Sequence, residues 1–245
     1  MSDKALNIQC GHLYYKILSS LNRDIETVIS KMPCLLLDVD GVILRDSLLF
    51  AHVKHNASRY VESKLPDCKH PASVNATLYL AHGHTARGLK NTFGIDASDF
   101  NEFVYDKSLM SHLSEVLEKE EFQRDAEVIH SLTQKGWEVT LFSNAPYEWV
   151  HPVSLAINDT IKIRCPGPDL TTAHLKPDPA FYKEFDECQG YYYVDDSLKN
   201  LGAVRNWPNW RPILFSESDK DPRLWCRHVR SIPELSLTLG NLWSA

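Results

Sequence analysis

The chain has 245 residues, 43% of them hydrophobic, and its 26 Lys and Arg against 32 Asp and Glu give a formal net charge of −6. That length can bury a substantial core as one domain, or as one domain with an insertion. No basic cluster stands out, so a nucleic-acid polymer is not an expected partner.

No apolar stretch approaches the ~20 residues of a bilayer span, and the N-terminus lacks the apolar core of a signal peptide. No membrane association and a cytoplasmic location are therefore expected. The six cysteines, Cys10, Cys34, Cys68, Cys165, Cys188 and Cys226, are scattered and form no Cys-x-x-Cys. This argues against structural zinc and a disulfide framework and fits a reducing compartment.

Leu13, Ile17, Leu21, Ile25, Val28 and Ile29 recur at helical spacing, which predicts an N-terminal helical extension over residues 1–32. An apolar strand over 34–38 follows and stops at Asp38-Val-Asp40-Gly41. Side chains two apart on a strand share a face. Two carboxylates held that close repel unless a cation lies between them or one keeps its proton. The plainer reading is a strand closed by an Asp-Gly turn.

Helical patterns then run over 47–64, 74–93 (ended by Gly94), 98–105 and 111–118. Such a stretch is too long for a simple connection. Residues 46–119 are expected to form a helical cap, inserted into a core of residues 33–45 and 120–245. Its hinges are expected near residues 45–46 and 119–121, so that it opens to admit a ligand and closes to exclude water.

The core resumes with a helix over 122–134 and a strand over 138–142 that ends at Ser143-Asn144. A helix over 148–157 and a strand over 161–164 follow. Lys176 lies in His174-Leu-Lys-Pro-Asp-Pro179, before a helix over 178–188. A strand over 191–194 ends at Asp195-Asp196-Ser197. A helix over 198–206, a strand over 212–215 and a closing helix over 232–239 complete the chain. This alternation predicts an α/β class: a Rossmann-like parallel-sheet core with helices on both faces and an inserted α-helical cap. Each polar cluster falls at the C-terminal end of a strand or the N-terminus of a helix, the edge where such sheets bind ligands.

These four clusters, in this order, resemble the four motifs of the haloacid dehalogenase-like hydrolases, a superfamily made mostly of Mg-dependent phosphatases. The resemblance runs from about Pro33 to the C-terminus. It implies that Asp38 is a nucleophile forming an aspartyl-phosphate. It makes Asp40 the general acid to the leaving oxygen and then the base for water. Gly41 permits the tight turn of the phosphate-binding loop, and Ser143 and Asn144 bind and orient the phosphoryl group. Lys176 sets a positive charge beside the nucleophile and the phosphoryl oxygens. Mg²⁺ is implied as cofactor, with Asp38, the Asp40 backbone carbonyl and Asp196 as ligands and Asp195 bound directly or through water. Asn200 braces that last loop. Superfamily ATPases carry threonine at the place of Asp40 and dehalogenases lack the aspartate, so a phosphatase or phosphomutase is implied.

Within the cap, Tyr79-Leu-Ala-His-Gly-His-Thr-Ala-Arg87-Gly-Leu89 and Phe93-Gly-Ile-Asp-Ala-Ser-Asp-Phe100 are similar to the cap of pyrimidine 5′-nucleotidases. The first motif reads Asp-Gly-Val where Asn-Thr-Leu is usual in that group. His84 and Arg87 become candidates to face a substrate, with packing or a helix surface as the alternative. His82-x-His84 does not read as a zinc pair, because that spacing on a helix separates the two rings. The function implied is an Mg-dependent phosphomonoesterase acting on a small phosphorylated metabolite, foremost a nucleoside 5′-monophosphate. A sugar phosphomutase, or a phosphoglycolate or sugar-phosphate phosphatase, is the alternative. A non-catalytic binding or scaffold protein is the alternative of another class.

Overall fold

The computed structural model describes residues 33–183, 185, 190–218 and 225–243. The extension expected over 1–32 and most of the far end of the helix expected over 178–188 lie outside them. Among the described residues no helix is long and apolar enough to cross a membrane.

The described strands are β1 (Cys34–Leu37), β2 (Glu138–Phe142), β3 (Lys162–Arg164), β4 (Tyr191–Asp195), β5 (Trp210–Phe215) and β6 (Arg227–Val229). They form one sheet in the order β3-β2-β1-β4-β5-β6, and every pairing is parallel. From β1 the chain winds outward through β2 and β3, then returns to the other side of β1 for β4 to β6. That reversal opens a crevice at the C-terminal ends of β1 and β4. Leu37 is in register with both Leu141 and Val194, so Asp38, Ser143 and Asp195 emerge along one edge.

Strands buried on both faces read as unbroken apolar runs. Leu35 and Leu37 of β1 face one cluster and Cys34 and Leu36 the other. The first cluster receives the helices α5 (Lys107–Leu117), α6 (Glu120–Gln134), α7 (Tyr147–Ile157) and α10 (Ile232–Trp243). The second is rich in aromatic rings and receives α8 (Pro179–Tyr182) and α9 (Leu198–Gly202). Tyr191 and Tyr193 lie in it, as expected of residues packed in the sheet. Cys34 is disulfide-bonded, where reduced thiols were expected, and Cys68, Cys165 and Cys226 are free.

Between β1 and α5 lie α1 (Ser47–Lys64), α2 (Pro71–His82), α3 (Thr85–Phe93) and α4 (Phe100–Val104). They share a small core of their own, including Tyr60, Leu78, Leu89 and Phe100, which Leu170 and Leu175 join from the loop before Lys176. The expected cap also took in α5. Leu109, Leu113, Val116 and Leu117 of α5, like Leu49 of α1, pack into the cluster that Leu35 and Leu37 of β1 face.

The helix expected over 74–93 is two helices. Gly83 takes a left-handed φ of 76° and caps α2, and the His84 ring accepts the Ala86 N–H at 3.2 Å to start α3. Pro71 sits in the first turn of α2, where its missing N–H costs nothing. Gly88 lets the two helices close together: a Cβ there would lie 2.7 Å from Leu78 Cβ. Helix α5 begins before the expected residue 111 because Asp106 accepts the Leu109 N–H at 2.8 Å. Helix α9 ends before the expected 206 because Ala203, Val204 and Arg205 bond three residues back and tighten the chain into turns. Strand β6, three residues long, is too short to carry a readable alternation and was not anticipated.

Where the chain enters and leaves the inserted helices, three ion pairs join the two crossing segments. Lys119 Nζ lies 2.5 Å from Asp46 Oδ2, and Arg45 lies 3.0 Å from Glu121 and 2.6 Å from Asp125. The residues expected as hinges thus face each other in pairs.

Candidate active site

β1 ends by delivering Asp38, 6% exposed. Its N–H donates to Val194 O at 2.9 Å, tying the residue to β4. Asp38 Oδ1 accepts from Lys176 Nζ at 2.8 Å and from the Val39 N–H at 2.7 Å. Oδ2 has no protein donor among the described residues, so one carboxylate oxygen stays free to act.

Lys176, 2% exposed, reaches into the crevice from the loop before α8. Its ammonium donates to Asp38, to Asp195 Oδ2 at 2.9 Å and to Phe142 O at 2.9 Å, which uses all three of its protons. Burial opposes its charge, but Asp195 and Asp38 outweigh burial and hold the ammonium above its ordinary pKa. Asn144 fixes the backbone of that loop from both sides: Oδ1 accepts the Lys176 N–H at 2.7 Å, and Nδ2 donates to Lys176 O at 3.0 Å. The next peptide, Lys176–Pro177, is cis. Asn144, expected to help orient a phosphoryl group, positions the Lys176 loop through its amide. Ser143, 1% exposed, accepts the Ala145 N–H at 3.0 Å. That leaves its hydroxyl proton to give.

Asp195 is fully buried and heavily bonded. Besides Lys176 it accepts from the Tyr193 hydroxyl, from the Ser197 N–H at 2.8 Å and from Asn200 Nδ2 at 3.0 Å. It anchors Lys176 and closes the loop that carries Asp196. Asp196 is exposed into the crevice and lies against Gly41, whose φ is 88°. One oxygen from each of Asp38, Asp195 and Asp196 can come within 4.8 Å of the others. Burial, then the charge of Asp195, push the Asp196 carboxyl up to about 6. Asp38 is likewise raised, by burial first and by Asp195, against the pull of Lys176. The carboxylates exceed what the Lys176 ammonium neutralises. A set of hard oxygen donors with surplus negative charge suits a hard divalent cation.

Asp40 does not join that group through its side chain. Its Oδ1 accepts the Trp149 indole N–H at 3.0 Å. Burial raises its pKa, opposed by that bond and by Lys176, a setting that favours a protonated acid.

No family model and no curated protein sequence matches the chain. Solved structures do. A HAD phosphatase from Thermococcus onnurineus aligns at TM-score 0.56 and 15% identity, covering 85% of this chain and 98% of that one. A 2-haloacid dehalogenase from Pseudomonas syringae pv. Tomato DC3000 aligns at TM-score 0.50 and 16% identity, covering 86% and 99%. A protein designated a HAD-hydrolase from Bacillus subtilis, solved bound to magnesium, aligns at TM-score 0.50 and 14% identity, covering 85% and 99%. The chain has the haloacid dehalogenase-like fold.

Two bonds tie the helices between β1 and α5 to the rest of the chain. Arg87 donates to the Ala173 carbonyl of the Lys176 loop, and Lys199 Nζ to Leu80 O at 3.2 Å. The two cap residues expected to face a substrate both have protein partners. His84 is 6% exposed and caps α3 with its ring edge-on to Phe100. Burial, then Arg87, hold its pKa down at about 4, so the ring is neutral. Its tie to the Ala86 N–H is why a polar residue stands there. Arg87 binds the core through Ala173.

Two tyrosines that sequence reasoning passed over also stand near the crevice. Tyr79 of α2, 55% exposed, faces charged neighbours: desolvation, then Asp38 and Asp40, push its phenol up to about 12. Tyr105 packs on Trp149 with ring centroids 5.2 Å apart and feels Asp40 and Tyr79. A lone aromatic on a helix carries no local signal for such a position. Only the folded register brings Trp149 to Asp40.

Proposed function

We propose that the protein is a phosphomonoesterase acting through an aspartyl-phosphate on a small phosphorylated metabolite. The observation that carries this reading is the pair of aspartates after β1 with different partners. Asp38 is held by Lys176 at 2.8 Å with one oxygen free, and Asp40 is held by Trp149 at 3.0 Å. Asp38 has the surroundings of a nucleophile and Asp40 those of an acid. The second aspartate favours phosphoryl transfer over dehalogenation, since dehalogenases lack it.

In the first step Asp38 Oδ2 attacks phosphorus, the bond to the ester oxygen breaks, and Asp40 gives that oxygen its proton. In the second, Asp40 takes a proton from water as the water attacks the same phosphorus, and the Asp38 carboxylate leaves. The Ser143 hydroxyl donates to a phosphoryl oxygen. Lys176 keeps Asp38 oriented and charged. Asp38, Asp196 and the Asp40 backbone carbonyl would hold Mg²⁺, which offsets the negative charge that gathers between carboxylates and phosphate.

The substrate class proposed first is a nucleoside 5′-monophosphate, on the likeness of the segment 79–100 to nucleotidase caps. A cytoplasmic location fits such a substrate. The test is phosphate release with Mg²⁺ from p-nitrophenyl phosphate and from a panel of UMP, CMP, dUMP, IMP, phosphoglycolate and sugar phosphates. Turnover that stops on chelation supports the reading. A folded preparation without metal-dependent turnover across the panel overturns it in favour of a binding protein.

A further inference from the structure

We infer that Trp149 is a positioning residue for proton transfer, one that directs the acidic proton of Asp40 onto a single oxygen. The inference rests on the phosphomonoesterase reading and deepens it. Trp149 is fully buried in the main core cluster, in the first turn of α7, where its own N–H bonds Pro146 O at 3.1 Å. An indole carries a donor and no acceptor, and a buried one needs a partner. That partner is Asp40 Oδ1, 109 residues away in sequence.

The consequence is chemical. An oxygen that accepts the indole N–H is the carbonyl-like oxygen of a protonated carboxyl. When Asp40 is protonated, its proton therefore sits on Oδ2, turned away from the indole. The same bond stops rotation of the carboxyl group, so Oδ2 alone meets the ester oxygen. Tyr105, from the chain between α4 and α5, packs against the indole at 57° between ring planes and holds the ring in place. Without the donor, the proton divides between two oxygens and the group is free to turn. The loss should grow with the need of the leaving group for a proton.

Phenyl phosphate and p-nitrophenyl phosphate separate this role from a structural one. They differ little in shape, but phenolate is much the more basic leaving group. In Trp149→Phe, kcat/KM is expected to fall about 10- to 100-fold on phenyl phosphate and no more than about 3-fold on p-nitrophenyl phosphate. Both rates come from one preparation, so partial unfolding scales them together and leaves their ratio unchanged. Trp149→His, which keeps a ring N–H, is expected to recover part of the ratio. An unchanged ratio in Trp149→Phe overturns the inference. Asp40→Asn is the control: the same skew, larger, supports Asp40 as the acid. Equal losses on the two esters in Asp40→Asn would instead remove the acid role itself.

Discussion

Gly41 and Asp196 touch across the crevice: a Cβ on Gly41 would lie 2.2 Å from Asp196 Oδ2 and 2.6 Å from its Cγ. The glycine does two things at once. It takes a φ of 88° that side chains avoid, and it leaves room for a carboxylate placed to hold a metal. In Gly41→Ala the loop or the carboxylate must move. Expected outcomes are a loss of about 1–2 kcal/mol in denaturant unfolding, from the backbone alone, and a weaker apparent Mg²⁺ affinity in activity titrations. A variant with unchanged metal dependence would mean that Asp196 is no ligand.

The raised pKa of Asp196, about 6, has a definite sign. The folded protein takes up this proton more readily than the unfolded chain. Stability of the metal-free protein should therefore fall as pH rises from about 4 to about 6, and level off above. Asp196→Asn is expected to raise the metal-free unfolding midpoint at pH 7.5 but not at pH 4, and to remove stabilisation by Mg²⁺. Thermal scans at the two pH values, with and without the metal, measure both effects.

His84 works in the opposite direction. Held neutral with a pKa near 4, it contributes stability that is fully present above pH ~6.5, the unfolded value, and lost as pH falls toward 4. His84→Asn keeps a capping side chain and removes the titration. It is expected to flatten the acid limb of the stability curve and to leave KM for the best panel substrate within about 2-fold, since the ring caps a helix. A large rise in KM would return His84 to the substrate pocket.

Arg45 joins the two ends of the insertion. It is 16% exposed at its side chain, and the Asp125 carboxylate it binds at 2.6 Å is 8% exposed. Arg45→Ala leaves that carboxylate buried without its cation, and a loss of about 3 kcal/mol is expected in chemical denaturation. A loss under about 1 kcal/mol would mean that water reaches Asp125.

Much of this was readable in the sequence where one physical demand dominates. Cys34-Leu-Leu-Leu37 and Tyr191-Tyr-Tyr-Val194 are apolar without alternation, because both sheet faces are covered, and they could be placed as buried strands. Asp38, Lys176 and Asp196 stand out because charge at a strand end or loop is costly without a partner. Residues whose local chemistry has two uses were harder. His84 reads equally as a substrate contact or a packing residue, and only the break at Gly83 reveals its bond to the Ala86 N–H. Nothing in the sequence shows that the Asn144 amide bonds the backbone on both sides of Lys176. The α5 residues Leu109, Leu113 and Val116 carry the same helical spacing as the cap helices. Nothing local says that they pack under the sheet. Trp149 has no signal short of the fold itself.

The most direct test of the central claim, that Asp38 attacks phosphorus, is acid-quenched peptide mapping during turnover with Mg²⁺. The expected result is a phosphoryl group on the Asp38 peptide that disappears in Asp38→Asn, together with turnover. Sustained phosphate release from Asp38→Asn, or release by the native protein with no modified Asp38 peptide at any quench time, would contradict it.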